Sequence, residues 1–340
     1  MNRTLLATFS LLTGLLMALT SAPAQTPASA QTPPSATSAP DNGKGPFLFS
    51  YFLGNGDGLH LAYSPDGFKF TPLNNDKPLL TPEIGSKLMR DPCLRQDSDG
   101  AWRLVWTTGW YDQGFGVSSS KDLIHWTDQI DVPAMKFAPT AKNTWAPELF
   151  FDDTKNEWLI FWASTIPGKF KETEVEGGDK SDGVILNHRM YYVTTKDFKT
   201  FSDTKLFYDP GFNCIDATIA KAGDKHYVMV LKDETKAPVA KKNLRVATAE
   251  NPQGPWSKAS DPVTMDWVEG PTIAKVGDGW NIYYDIYRER KYGAVRTTDW
   301  KTFKVVDDEL GFPKGARHGT VTPVTEEQLA ALKKLGETTN

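Results

Sequence analysis

Three carboxylates stand in closely similar settings along this chain. Asp91 lies in Met89-Arg90-Asp91-Pro92, Asp216 in Cys214-Ile215-Asp216-Ala217, and Glu269 in Val268-Glu269-Gly270-Pro271. Each is followed by a run of strand-forming residues. If those runs are copies of one unit arranged in a ring, the three acids share one small site. A pair of carboxylates is what cleaves an acetal: one protonates the leaving oxygen, the other activates water or attacks directly. A third acid close by would raise the proton donor's pKa, because adjacent negative charges resist a second ionisation.

The elements that must position these acids follow from a repeat. Strand-like runs recur after Asp-Gly, Gly-Asp or Asn-rich turns. Trp102-Arg103-Leu104-Val105-Trp106, Trp158-Leu159-Ile160-Phe161-Trp162, His226-Tyr227-Val228-Met229-Val230 and Trp280-Asn281-Ile282-Tyr283-Tyr284 are four of them. A second signal closes each unit. Ser64-Pro65-Asp66-Gly67-Phe68 matches Ser120-Lys121-Asp122-Leu123, Thr195-Lys196-Asp197-Phe198 and Thr298-Asp299-Trp300, with a looser form at Asn251-Pro252-Gln253-Gly254-Pro255-Trp256. The spacing predicts an all-β fold, a five-bladed β-propeller over residues 45–340. The openings are Arg90-Asp91-Pro92, Trp145-Ala146-Pro147-Glu148, Ile215-Asp216-Ala217, Glu269-Gly270-Pro271 and Arg317-His318-Gly319. The last opening has no blade after it, and the first closing has no opening before it. The two chain ends therefore pair in one blade, with His318–Val321 innermost and Phe47–Thr71 supplying three strands, which removes free sheet edges. A short C-terminal helix follows: Thr325-Glu326-Glu327-Gln328 reads as a capping box, Leu329, Leu332 and Leu335 as an apolar stripe, and Gly336 as a stop.

Composition narrows the partners. The net charge is −4 and no Lys/Arg block stands out, so neither nucleic acid nor an anionic membrane is expected. Residues 1–24 read as a signal peptide: Arg3, an apolar run from Leu5 to Leu19, then Ala22-Pro23-Ala24. Export, to the periplasm or beyond, is the expected location. Residues 25–44, rich in Pro, Ala, Ser and Thr, read as a flexible linker. Cys93 and Cys214 each lie two residues from a site carboxylate in non-neighbouring units, so buried free thiols are expected over a disulfide. The five histidines show no metal-ligand spacing among themselves. A monomer is expected.

With the openings around one mouth, the loops between the second and third strands of each unit must rise around it. They run near 54–57, 107–116, 165–189, 232–243 and 287–292. Trp110, Tyr111, Tyr287 and Arg288 lie on them; Asp233 and Glu234 do too. Trp110, Tyr111, Tyr287 and Arg288, with Arg90, Trp145, Glu148 and His318 from the openings, form the expected sugar-binding set. Three acidic openings also predict an acidic mouth. The plain structural alternatives are that Asp91 caps a turn before Pro92, Asp216 binds backbone amides and Trp145 only packs.

These motifs, in this order and spacing, resemble glycoside hydrolase family 43, whose members include α-L-arabinofuranosidases, β-xylosidases, arabinanases and exo-galactanases. The resemblance implies an inverting five-bladed propeller. Asp91 of Asp91-Pro92 would be the general base and Glu269 of Glu269-Gly270-Pro271 the general acid. Asp216 would orient that acid and raise its pKa. The chemistry would need no cofactor. His318 of His318-Gly319 would lie by an axial metal ion, often calcium in that family, and reach it through water. The substrate would be a glycan with a terminal pentose or galactose, arabinofuranose first. The chain departs from the family pattern at Arg90, Glu148 and Ala217, which leaves room for Glu148 in a catalytic role. A retaining fructosidase-like hydrolase and a non-catalytic carbohydrate-binding propeller are the rival readings, with a protein-interaction propeller third.

Overall fold

A computed structural model describes residues 42–174 and 185–337. The leader, most of the linker and part of the long loop at 165–189 lie outside the described residues. Five sheets are present. The first blade holds β4 (Arg90–Gln96), β5 (Trp102–Thr107), β6 (Phe115–Ser120) and β7 (Ile130–Val132). The second holds β8 (Trp145–Asp152), β9 (Glu157–Ser164), β10 (Arg189–Thr195) and β11 (Lys205–Tyr208). The third holds β12 (Cys214–Gly223), β13 (His226–Asp233) and β14 (Asn243–Ala249). The fourth holds β15 (Glu269–Val276), β16 (Gly279–Ile286), β17 (Lys291–Thr297) and β18 (Lys304–Val305). The shared blade joins β19 (Val321–Pro323) to β1 (Phe47–Tyr51), β2 (His60–Ser64) and β3 (Thr71–Pro72). All neighbours pair antiparallel, and Phe49 faces Val321 across the closure.

The second strands are nearly continuous apolar runs because both their faces are covered. β9 is buried from Trp158 to Ser164. Each face packs on the next blade, giving five clusters, one per junction. One joins Leu48 and Leu61 to Trp102 and Leu104, another Val228 and Val230 to Ile282 and Tyr284. The closing signal also has a physical basis. In Ser64, Ser120, Thr195 and Thr297 the side-chain oxygen accepts the N–H of the third residue on, at 2.8–2.9 Å. That third residue, Gly67, Leu123, Phe198 or Trp300, takes a positive φ.

Two expectations need correcting. The third blade has three regular strands, not four. Its edge is covered by an irregular segment in which Ser257, Ser260 and Val263 donate to Thr248, Val246 and Leu244, a spacing of three that no regular strand keeps. The helix α1 (Glu326–Glu337) also runs through Gly336 instead of stopping there, and Asn75 Nδ2 donates to the Gly336 carbonyl. The capping box is present: Gln328 N–H donates to Thr325 Oγ1 at 3.2 Å, and Thr325 N–H to Gln328 Oε1 at 3.1 Å. Leu329 and Leu332 are buried against the shared and first blades. Among the described residues no helix is long and apolar enough to cross a membrane. Cys93 and Cys214 are free and buried in different blades.

Candidate active site

The inner strands share one local device. In β4, β8, β12 and β15 the ladder slips across four residues near the strand start, and the first of each four is Arg90, Trp145, Ile215 or Glu269: Arg90/Cys93, Trp145/Glu148, Ile215/Thr218 and Glu269/Thr272. The residue after the first sits at positive φ in every case: Asp91 (53°), Ala146 (48°), Asp216 (50°) and Gly270 (58°). Such a bulge bends the strand and re-aims its side chains, here toward the mouth. It also shows that the three acids are not strictly equivalent. Asp91 and Asp216 occupy the bulged position. Glu269 stands one residue earlier, at the place Arg90, Trp145 and Ile215 hold in their blades. Gly270 takes the bulge because a Cβ there would lie 2.1 Å from the Cβ of His318.

The bulges surround a cavity of about 280 Å³ lined by Asp91, Asp216 and Glu269. His318 links two of its walls. Nε2 lies 2.8 Å from Asp91 Oδ1 and Nδ1 lies 3.5 Å from Asp285 Oδ2. Thr107 Oγ1 donates to Asp91 Oδ2 at 2.7 Å and accepts the Ala146 N–H at 2.8 Å. Asp216 Oδ2 accepts the Gly270 N–H at 3.1 Å. Glu269 is held by two cations: Lys232 Nζ at 2.8 Å on Oε2 and Arg317 at 2.7 Å on Oε1. Lys232 also meets Glu234 at 2.7 Å, and Lys242 pairs with Glu234.

Burial pushes every carboxyl here up, and the neighbours decide the outcome. For Asp91, His318 and then Arg90 outweigh burial and hold the group below its ordinary value. For Glu269, Lys232, His318 and Arg317 overcome burial and hold it well below the carboxylate range. Asp216 stays high at about 6, since burial and the charges of Glu269 and Asp91 exceed the help from His318 and Lys232. Burial opposes the charge on His318, but Asp91 and Asp285 carry it up to about 10. Two cations reach Glu269 directly and favour its charged form, whereas burial and the neighbouring carboxylates push Asp216 upward.

Of the expected sugar contacts, Arg90, Trp110, Trp145 and His318 line the cavity. Trp110 and Trp145 meet edge to face at 6.1 Å, and Trp145 Nε1 donates to the Trp110 carbonyl. Four others do not line it. Glu148 lies in the channel beside Asp91, Asp216 and His318, where it accepts from Arg95 and Thr218. Burial there raises its carboxyl. Arg288 stacks on Trp267, Tyr287 borders a neighbouring cavity with Asp285 and Arg290, and Tyr111 is exposed. Among the described residues the lining of the mouth is not predominantly acidic: Arg90, Lys232, Lys236, Lys242, Arg317 and His318 line it against Asp91, Asp216, Glu234 and Glu269. Lys232, Lys242 and Arg317 were missed. Arg317 was visible in the last opening beside His318. Lys232 pairs across β12–β13 with Ile215, just as Asp285 pairs with Glu269, so the ends of the second strands were the place to look.

One oxygen or nitrogen each from Glu269, Asp285 and His318 lie within 4.8 Å of one another, the spacing of a metal site. The donor set does not fit calcium. Calcium takes six to eight oxygen ligands, whereas here the Arg317 guanidinium already bridges Glu269 and Asp285. The imidazole between the acids is itself a cation below pH 10.

Fold and site together define a five-bladed propeller with a carboxylate-lined cavity at its mouth. The chain belongs to the glycoside hydrolase 43-related family, described as a probable glycosyl hydrolase domain, over residues 44–330. An α-L-arabinofuranosidase of Bifidobacterium longum subsp. longum is 27% identical over 178 residues, 48% of this chain and 17% of that protein. The chain thus matches less than a fifth of that relative's length. In structure the chain is similar to an α-L-arabinofuranosidase from Clostridium thermocellum, with a TM-score of 0.50 and 13% identity over 75% of this chain and 85% of that one. An α-L-arabinofuranosidase from Lactobacillus brevis matches with a TM-score of 0.48 and 19% identity, covering 64% and 72%.

Proposed function

We propose that this protein is an exported, monomeric, inverting glycosidase that releases a terminal pentose or galactose residue, arabinofuranose first, from plant cell-wall-type glycans. The observation that carries the mechanism is the ion-pair frame around Asp91 and Glu269. Asp91, kept anionic by His318 and Arg90, accepts a proton from the attacking water. Glu269 delivers a proton to the leaving oxygen. Ionised while both cations hold it, it must first take that proton up from solvent, which it can do only after one of its two cations turns to the sugar. Lys232 is 2% exposed and Arg317 36%, so Arg317 is the one that moves. Asp216 fixes the Glu269-Gly270 segment through the Gly270 N–H and is the neighbour able to hold a proton near pH 6. The cavity, at about 280 Å³, is at the small end for ligand pockets, which favours one terminal sugar over a stretch of polysaccharide.

The test is a panel of arabinan, xylan and galactan with the product identified. Glu269→Gln should lose turnover by a factor of at least about 10² while still folding, as read by circular dichroism. Full activity in that variant removes the acid assignment. Proton NMR of the first-formed anomer checks inversion; a retained anomer overturns it.

A further inference from the structure

Arg90 is a basic group of the cavity with no carboxylate in contact. Its side chain is buried, 9% exposed. Two aromatic rings hold the guanidinium, Phe52 at 4.7 Å and Trp110 at 4.6 Å, and Nη1 donates to Asn55 Oδ1 at 3.1 Å. Among the described residues no carboxylate oxygen lies within 4.0 Å of it. Lys232, Lys242, Arg317 and His318 each touch one. A guanidinium offers five N–H donors in a planar fork, and Asn55 takes one. Asp91 acts on Arg90 only through space, without a direct ion pair, and a buried cation with no ion-pair partner in contact is costly to keep. Aromatic contact offsets part of that cost and fixes where the fork stands.

Its position is that of a ligand-facing residue. Arg90 pairs with Thr107 as Glu269 pairs with Asp285, so the two hold the same place in their blades, and both line the cavity. Among the described residues, the wall around it carries more basic than acidic groups, an excess that a neutral sugar does not call for. The planar fork matches a carboxylate in two parallel hydrogen bonds.

We propose that the glycan bound here carries a carboxylate, as a uronic acid unit, and that Arg90 grips it. This rests on the glycosidase reading of the same site and narrows its substrate class. The carboxylate can belong to the terminal sugar or to its neighbour, and the experiment separates the two. Calorimetric binding to the unaltered protein compares D-galacturonate with D-galactose. Binding to the Glu269→Gln variant compares arabinose-bearing galacturonate oligosaccharides with the same oligosaccharides after carboxyl reduction. The acidic member of at least one pair should bind about tenfold tighter or more, with the gap narrowing as salt rises. A gap already present in the monosaccharides assigns the carboxylate to the terminal sugar; a gap only in the oligosaccharides assigns it to the neighbour. Arg90→Met should bring the acidic-to-neutral ratio to about one, and Arg90→Lys, keeping charge but not the fork, should restore it in part. Circular dichroism confirms that both variants fold. Equal affinities in both pairs, or a ratio that Arg90→Met leaves unchanged, overturns the proposal. Sugar release from neutral glycans is measured separately, so the glycosidase reading can stand or fall without it.

Discussion

Lys232 is the residue on which the charge pattern turns. Its ammonium is fully buried between Glu234 and Glu269, and those two with Asp216 lift its pKa well above the ordinary value against burial. Lys232→Met leaves two buried carboxylates short of a cation. That should cost roughly 3–5 kcal/mol, read from the urea midpoint, and should move the basic limb of the pH–rate profile upward as Glu269, the proton donor, loses its partner. His318 gives a second prediction. Its folded pKa is about 10 against an ordinary 6.5. A raised histidine stabilises the fold fully below 6.5 and loses that support as pH climbs to 10. The melting temperature should therefore fall across pH 6.5–10, and His318→Gln should flatten the fall. Gly270→Ala places a methyl against the His318 ring at a positive φ, and should cost more than about 2 kcal/mol together with most activity. The carboxylates were legible in the sequence because each follows or forms a short opening motif. The cations were not: Lys232 carries no motif, and only the ladder register brings it opposite Ile215. The one-residue offset of Glu269 was likewise hidden, because a bulge absorbs a residue that sequence spacing cannot see.

At the level of elements, the turn chemistry was the most readable layer. The Ser/Thr-x-Asp closings recur because one hydroxyl and one carboxylate can hold a left-handed residue without help from the rest of the fold. The second strands were readable for a related reason: burial on both faces demands unbroken apolar runs. Where local chemistry gave way to context, the sequence misled. The segment after β14 lacks a Ser/Thr-x-Asp turn and meets its neighbour in an irregular pattern instead of a fourth strand. A glycine near a helix end is a weak stop signal when another element satisfies the terminal carbonyls, as Asn75 does for Gly336. The helix itself follows its cap. Thr325→Ala removes one side of the reciprocal pair with Gln328 and should lower stability by about 1 kcal/mol, measured by chemical denaturation. Leu332→Ala, at 0% exposure, should cost about 2–5 kcal/mol.

For the whole molecule, the five junction clusters form a circuit in which every blade leans on two others. Removing one blade-to-blade contact should therefore weaken the site as well as the fold, since the carboxylates come from three blades. The shared blade is the seam of that circuit. Besides the ladder between β1 and β19, Ser50 Oγ donates to the Pro92 carbonyl at 2.6 Å and accepts the Thr320 N–H at 3.0 Å, tying the seam to the first blade. Deleting Val321 onward should abolish cooperative unfolding, with a broad transition by fluorescence in place of a single one. The seam also sets a schedule. Ser50 and Thr320 are 270 positions apart, so β1 has no inner neighbour until β19 has been translated. Closure of the ring therefore waits on a contact of very long sequence separation, the kind that forms slowly.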